Sequence, residues 1–393
     1  MHAAAPLLAV ALALASGMAR AAQPVWIASW GQTLDPEKPP SPAGFTGMTL
    51  RETVHLSAGG TGLRLLFSNA FGARVLRLGS VHVARTLPGG AIVPGTDRVV
   101  TFAGKPAVDI PANATRLSDT MGMDVHAGAD LSVSVFITQS DLLSAHINAL
   151  AASYLAPGDQ TGAARLHAAV QRADRVYLQG VEVTGPQARA TLVALGDSIT
   201  DGNGSVPDTN GRWPDLLAGR LTASYGDALG VVNAGIAANM LLGPGGYAPP
   251  AVARLDRDAL HWPAERYILL LEGINDCLGT AGGAALAAQL FAADRAIVAR
   301  AHALGIKVAG MTLTPIGDTE VYTVQKERAR LILNTLIRHG KAFDAVIDAD
   351  AALRDPERPD VLLPAYDSGD HLHPGPAGMR AIAAAVPLEI FKP

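Results

Sequence analysis

A single cysteine, Cys277, stands in 393 residues, so no disulfide can form within the chain and the fold must rest on its buried core. It directly follows Asn275-Asp276 and has no separate base beside it, which makes it a small apolar filler rather than a nucleophile. Charge is also sparse. Only 17% of residues are charged against 49% hydrophobic, which excludes a disordered chain. Lys+Arg 31 against Asp+Glu 35 leaves −4 with no basic block, so nucleic acid is not an expected partner. Internal repeats and low-complexity linkers are missing. So is a Gly-Lys-Ser/Thr phosphate loop, and the Gly-x-Ser-x-Gly elbow fails because Thr200 occupies its last position. His371-x-His373 beside Asp370 has the makings of a metal pair, but no further His or Cys cluster completes a tetrahedral set, so neither metal nor cofactor is expected.

Long apolar runs are missing too. The Ala/Leu-rich stretch Ala3–Ala15 is too short to span a membrane, and stable membrane insertion is not expected. Small residues follow it and end in Ala19-Arg20-Ala21, an A-x-A cleavage pattern. Residues 1–21 therefore read as a cleaved signal peptide, despite a weak positive start, and the mature chain is expected to be secreted or periplasmic. Losing Arg20 with the signal would take the formal charge from −4 to −5.

Two patterns divide what remains. Across residues 22–188 short strand candidates recur between turn signals such as Pro88-Gly89-Gly90 and Pro94-Gly95-Thr96. They lie at Thr49–Leu56, Leu63–Phe67, Val75–Ala84, Arg98–Phe102, Leu131–Ile137 and Tyr177–Val183, and predict a β-sandwich or jelly-roll-like domain. It holds polymer near an active site or structurally covers a catalytic domain. The second reading is preferred, because its few aromatics, Trp26, Trp30, Phe45, Phe67, Phe71, Phe102, Phe136 and Tyr154, must also furnish its core. The junction falls at Thr184–Ala190, where Gly185-Pro186 interrupts the pattern.

Over residues 189–393 strands and helices alternate. Apolar runs at Leu192–Leu195, Gly230–Val232, Tyr267–Leu271, Ile306–Leu313 and Ala345–Ile347 predict strands. Trp213–Ala223, Ala281–Leu304, Val321–His339 and Ala377–Ala385 predict helices between and after them. Five strands so separated imply a parallel sheet covered on both faces.

The run Leu192–Gly202 is the centre of the chemistry. Apolar residues stop at Gly196-Asp197-Ser198, as a buried parallel strand does at the carboxyl edge of its sheet, where α/β proteins place their sites. Gly196 would permit a sharp turn, and Ser198 is then either a nucleophile or, with Asp197, a helix-cap residue. A serine nucleophile needs a base, and the base an orienting acid. Asp370-His371-Leu372-His373-Pro374 offers both in a Gly/Pro-rich loop.

Together these segments resemble the GDSL, or SGNH, hydrolases. Gly196-Asp197-Ser198 resembles the family signature, Asn233-Ala234-Gly235 the block carrying its glycine, Gly273-Ile274-Asn275-Asp276 its Gly-x-Asn-Asp block, and Asp370-x-x-His373 its closing block. All four occur in the family's order across about half the chain. The resemblance implies a three-layer flavodoxin-like domain. It also implies Ser198 as nucleophile, His373 as base and Asp370 as orienter, with an oxyanion hole from the N–H groups of Ser198 and Gly235 and the Asn275 amide. The family spacing selects His373 over His371, which is then expected to pack behind it. Trp213 and Asn239 are candidate pocket linings, although a tryptophan opening a helix is more often core, and Asp201 and Asp276 would hold loops by hydrogen bonds.

In overall organisation the chain is also similar to secreted bacterial SGNH hydrolases with an N-terminal β domain, a group of xylan-degrading esterases. The expected activity is hydrolysis of small-molecule or polysaccharide esters through an acyl-enzyme, with acetyl or other short acyl groups favoured. The alternatives are a general short-chain esterase or lipase, and a non-catalytic carbohydrate-binding protein. Oligomeric state is not legible.

Overall fold

The computed structural model describes residues 24–36, 45–141, 143–246 and 248–392, and the expected signal peptide lies outside them.

The C-terminal half is built on five parallel strands, β1 (Ala190–Gly196), β2 (Leu229–Gly235), β3 (Glu265–Leu271), β4 (Lys307–Met311) and β5 (Ala345–Ile347). Their spatial order is β2-β1-β3-β4-β5. This is the flavodoxin-like order, with its switch point between β1 and β3. All seven residues of β1 are buried, as a strand covered on both faces requires. The helices are α1 (Ser198–Asp201), α2 (Trp213–Tyr225), α3 (Ala251–Asp258), α4 (Ile274–Gly279), α5 (Ala284–His302), α6 (Val324–His339), α7 (Ala349–Leu353) and α8 (Pro376–Ala385). Helix α8 packs against α2 and α7, whereas α5 packs against α3 and α6. Right-handed crossovers place these two groups on opposite faces of the sheet, giving three layers. The four predicted helices correspond to α2, α5, α6 and α8. The shorter α1, α3, α4 and α7 carry too few turns to register as a period.

The N-terminal half is antiparallel. One sheet runs Trp26–Gly31, Leu178–Thr184, Gly60–Ser68, Met121–Val125, and a larger one runs Val170–Arg172, Ser153–Pro157, Met48–His55, Asp130–Gln139, Leu76–Leu87 with short strands beyond. Leu50, Val54, Leu65, Phe67, Val81, Val133 and Val181 fill the space between them, a sandwich core. Trp30, Phe45, Phe67 and Phe102 are all buried, so these aromatics are core material rather than a binding platform. A third small sheet joins Asp35–Pro36, Ser144–His146 and Arg175–Val176. The predicted strand Arg98–Phe102 is shorter than expected, at Arg98–Val99 with a bridge at Phe102.

The two halves meet along β2. Strand Trp26–Gly31 lies beside it, with Gln32 bridged to Asn233 in parallel. Ala28 donates its N–H to Thr191 Oγ1 at 2.9 Å, and Val231 donates to Ser57 Oγ at 2.8 Å. The Trp262 ring rests where side chains at Gly31 and Gly180 would stand, 2.7 and 2.6 Å from the positions their Cβ atoms would take. Glycine is required there by close approach.

Candidate active site

Strand β1 ends at Gly196, where a Cβ would collide with Thr200 Oγ1 and lie 2.5 Å from the Leu271 carbonyl. The sequence suggested that this glycine serves a sharp turn. Its φ is not in the left-handed region, so it serves close packing instead. Asp197 is then the N-cap of α1, accepting from Ile199 N–H at 2.9 Å, and Ser198 is the first helical residue. The cap and nucleophile readings of this dipeptide are therefore compatible, one residue serving each.

The strand ends and the C-terminal loop converge. Ser198 Oγ lies 2.8 Å from His373 Nε2, and His373 Nδ1 lies 2.6 Å from Asp370 Oδ2. A carboxylate can only accept, so Nδ1 carries the proton and Nε2 is left as acceptor for the serine hydroxyl. Asp370 is itself held from behind, its Oδ1 accepting from the N–H groups of His373 at 2.8 Å and Leu372 at 3.0 Å. Partial burial opposes its charge, but the hydrogen bonds from His373 and Leu372 outweigh that and hold the carboxyl down at about 2.

His371 is not behind His373. It is half exposed, has φ 64 and pairs with Asp367 Oδ2 at 2.6 Å. The two histidines thus face different carboxylates. Among the described residues no group of His, Cys, Asp or Glu is arranged to hold a metal ion. Burial pushes the Cys277 thiol up to about 12, so it stays protonated at neutral pH.

An oxyanion donor must be unspent in the empty site. Ser198 N–H, at the start of α1, makes no hydrogen bond among the described residues. Asn275, in the first turn of α4, uses one amide hydrogen on the Asn239 carbonyl at 2.8 Å and keeps the other. Gly235 differs from expectation. It is the last residue of β2, its N–H is donated to Asn233 Oδ1 at 2.9 Å, and a Cβ there would clash with the Asp201 backbone. Its glycine identity serves the packing of α1 on β2.

The turn that follows contains an unspent N–H that sequence reasoning passed over. Ile236 N–H goes to the Gly196 carbonyl, Ala237 N–H to Asp201 Oδ2 and Asn239 N–H to the Ile236 carbonyl. Ala238, at φ 58, makes no N–H hydrogen bond among the described residues. A non-glycine residue in that region is held there by its surroundings. Nothing in the letter alanine signals it.

Beneath these groups lies Arg254, fully buried. It donates to the Gly196 carbonyl at 2.9 Å, the Ala234 carbonyl at 2.9 Å and Asn239 Oδ1 at 2.8 Å, and pairs with Asp258 at 3.3 Å. One guanidinium thus fixes the ends of β1 and β2 and the following turn. Asn239 is consequently structural, and Trp213 is core, with no exposed surface. Asp276 accepts from the Leu241 and Leu242 N–H groups at 2.7 and 3.0 Å, and so holds a loop as expected. The acids here are crowded. Burial pushes Asp197 up to about 7, and burial together with Asp197 raises Glu272 well above its usual range.

No curated protein matches the chain in sequence. Among solved structures, the chain is similar to a G-D-S-L family protein from Desulfitobacterium hafniense at 20% identity, covering 50% of this chain and 97% of that one, with a TM-score of 0.38. A GDSL-like lipase from Bacteroides thetaiotaomicron matches at 18% identity over 50% of this chain and 84% of that one, TM-score 0.37. An acetyl xylan esterase from Geobacillus stearothermophilus matches at 22% identity over 51% and 94%, TM-score 0.37. Residues 194–381, which carry Ser198, Asn275, Asp370 and His373, match the sequence model of the GDSL-like Lipase/Acylhydrolase family. With four motif blocks meeting on one edge of a flavodoxin-like sheet, residues 194–381 carry a GDSL-like lipase/acylhydrolase domain.

Proposed function

We propose that the chain is a serine carboxylic ester hydrolase working through an acyl-enzyme on Ser198. The observation that carries this is the unbroken hydrogen-bonded line from Ser198 Oγ through His373 to Asp370, at 2.8 and 2.6 Å. His373 Nε2 takes the hydroxyl proton as Oγ attacks the ester carbonyl carbon, and Asp370 stabilises the resulting imidazolium. The carbonyl oxygen becomes an oxyanion, received by Ser198 N–H, the free amide hydrogen of Asn275 and Ala238 N–H in place of Gly235. Each such donor typically lowers the barrier by about 3 kcal/mol. Collapse of the intermediate expels the alcohol, protonated by His373. Water then enters, gives a proton to the same imidazole and releases the acid, restoring Ser198.

The substrate reading is acetyl or another short acyl group on a carbohydrate. Both the short acyl group and the carbohydrate half rest on the resemblance in overall organisation. A general short-chain esterase is the second reading. The β half covers the edge of β2, which supports a structural role for it over polymer capture, and export follows the N-terminal pattern. Among the described residues no helix is long and apolar enough to cross a membrane.

The test is hydrolysis of p-nitrophenyl acetate, butyrate and octanoate, with acetate release from acetylated xylan, by the wild type and Ser198→Ala. Loss of activity in the variant with preference for acetyl groups supports the reading. Octanoate preference without release from xylan moves the substrate to lipid-like esters, and equal rates for the two proteins reject the nucleophile.

A further inference from the structure

The β half touches the helix that bears Ser198 through a histidine side chain. His146 closes the short strand Ser144–His146 and is 5% exposed. Its Nδ1 lies 2.8 Å from the Thr33 carbonyl and its Nε2 lies 2.9 Å from Asp201 Oδ1. A carbonyl oxygen has no proton to give, so Nδ1 must be protonated. Nε2 faces a carboxylate, so a second proton lies in that contact, and held on the ring it makes an imidazolium paired to Asp201. Burial disfavours that charge, but Asp201, and more weakly Asp35, raise the His146 pKa above its ordinary value.

Asp201 is the last residue of α1, one turn from Ser198 on the same helix. Its backbone N–H returns to the Asp197 carbonyl at 2.8 Å, and its second oxygen, Oδ2, accepts from Ala237 N–H at 3.1 Å. One carboxylate therefore ties the helix bearing the nucleophile to the turn bearing Ala238, and an imidazolium from the other half of the chain holds that carboxylate. Neighbouring contacts reinforce the approach: Asn148 bonds Asn203, the Ala149 carbonyl accepts from Arg212, and Asp208 N–H donates to the Leu150 carbonyl at 2.9 Å.

We propose that His146 is a positioning residue for ester hydrolysis: through Asp201 it sets the spacing between Ser198 on α1 and the oxyanion turn Ile236–Asn239. The proposal rests on the serine hydrolase reading above. It gives the β half a catalytic task in addition to covering β2. A lost imidazolium frees Asp201 to rotate, Ala237 N–H loses its acceptor, and the turn shifts relative to Oγ. Binding of the ester is little altered while transition-state stabilisation falls, a kcat effect rather than a KM effect.

The experiment uses the full chain with His146→Ala, His146→Gln, Asp201→Asn and the His146→Ala/Asp201→Asn double variant. It follows p-nitrophenyl acetate turnover, the rate at which a fluorophosphonate labels Ser198, and thermal unfolding. The expected result is a kcat and labelling rate 10- to 100-fold lower in each single variant, with KM within about twofold. His146→Gln, which retains an N–H donor, should recover part of the loss. The double variant should be no slower than the worse single one, because both act through the same contact. Should His146→Ala fail to fold, Asp201→Asn and His146→Gln read the same quantity. Folded variants with wild-type kcat, losses confined to KM, or additive losses overturn the proposal alone. A wild type that neither turns over ester nor takes the label overturns the serine hydrolase reading, and this proposal with it.

Discussion

His373 Nε2 stands 2.8 Å from Ser198 Oγ although 175 positions separate the two residues in the chain. The contact depends on loop 366–374 being folded on itself. Ser368 N–H returns to the His373 carbonyl at 3.0 Å, and Gly375 N–H returns to the Tyr366 carbonyl at 2.7 Å. Asp370 then fixes which ring nitrogen is free. Replacing Asp370 with Asn presents an amide of nearly the same shape that allows the wrong tautomer. Ester turnover is expected to fall by about 10⁴-fold with thermal stability nearly unchanged. Steady-state kinetics and a melting curve on the same preparation check this.

On the proposed mechanism Asn275 and Gly235 separate catalysis from packing. Asn275→Ala removes an oxyanion donor and should lower kcat by about 10²- to 10³-fold with KM little changed. Gly235→Ala drives a methyl group into the Asp201 backbone, so its main effect should be on folding and expressed yield. Single-turnover kinetics on Asn275→Ala and thermal unfolding of Gly235→Ala distinguish the two. A pure kcat loss in a fully stable Gly235→Ala would restore Gly235 to the oxyanion hole.

Arg254 has no surface exposure and bonds Gly196, Ala234 and Asn239 at once. Arg254→Leu strips three buried acceptors of their donor and removes one of the two guanidinium groups on Asp258, leaving Arg257. The expected loss is about 3–5 kcal/mol of stability. Arg254→Lys should not recover it, because an ammonium cannot reach three acceptors in the planar fork of a guanidinium. Urea unfolding of the three proteins reads the difference.

Asp294 is buried on α5, and burial, with Asp276 adding repulsion, raises its pKa to about 8. An acid raised from 3.8 to about 8 binds more protons folded than unfolded between those values, so it costs stability as pH rises through that window. Asp294→Asn should therefore stabilise the protein at pH 8, on the order of 1–2 kcal/mol, and change little at pH 4. Melting temperatures of both proteins at the two pH values check the sign. Equal shifts at both values would contradict it.

Much of this was legible in the sequence, for reasons that differ between the two halves. Parallel strands buried on both faces leave continuous apolar runs, so β1 to β5 could be placed within a few residues, and the motif blocks fell at their carboxyl ends. The strand Trp26–Gly31 was not legible, since Ser29 is buried on the Ala58 carbonyl and Gly31 beneath the Trp262 ring, which breaks the alternation. Ser198, Asn275, Asp370 and His373 could be proposed from the sequence because their residue types suit the chemistry, and the structure brings Ser198, His373 and Asp370 into one hydrogen-bonded line. Gly235 was assigned a role that the Asn233 side chain forecloses, a contact no spacing reveals. The roles proposed for Ala238 and His146 were invisible for opposite reasons: one offers only a backbone N–H, and the other meets Asp201 from 55 positions away.

The most direct test of the account is the stoichiometry of the first turnover. Mixing the enzyme with excess p-nitrophenyl acetate under rapid quench, then mapping the quenched chain by mass spectrometry, reads the acyl-enzyme itself. The account predicts a burst of up to one p-nitrophenol per chain, an acetyl group on the peptide holding Ser198, and neither in Ser198→Ala. An acetyl group settled on another residue, or a Ser198→Ala protein that turns over at the wild-type rate, would contradict it.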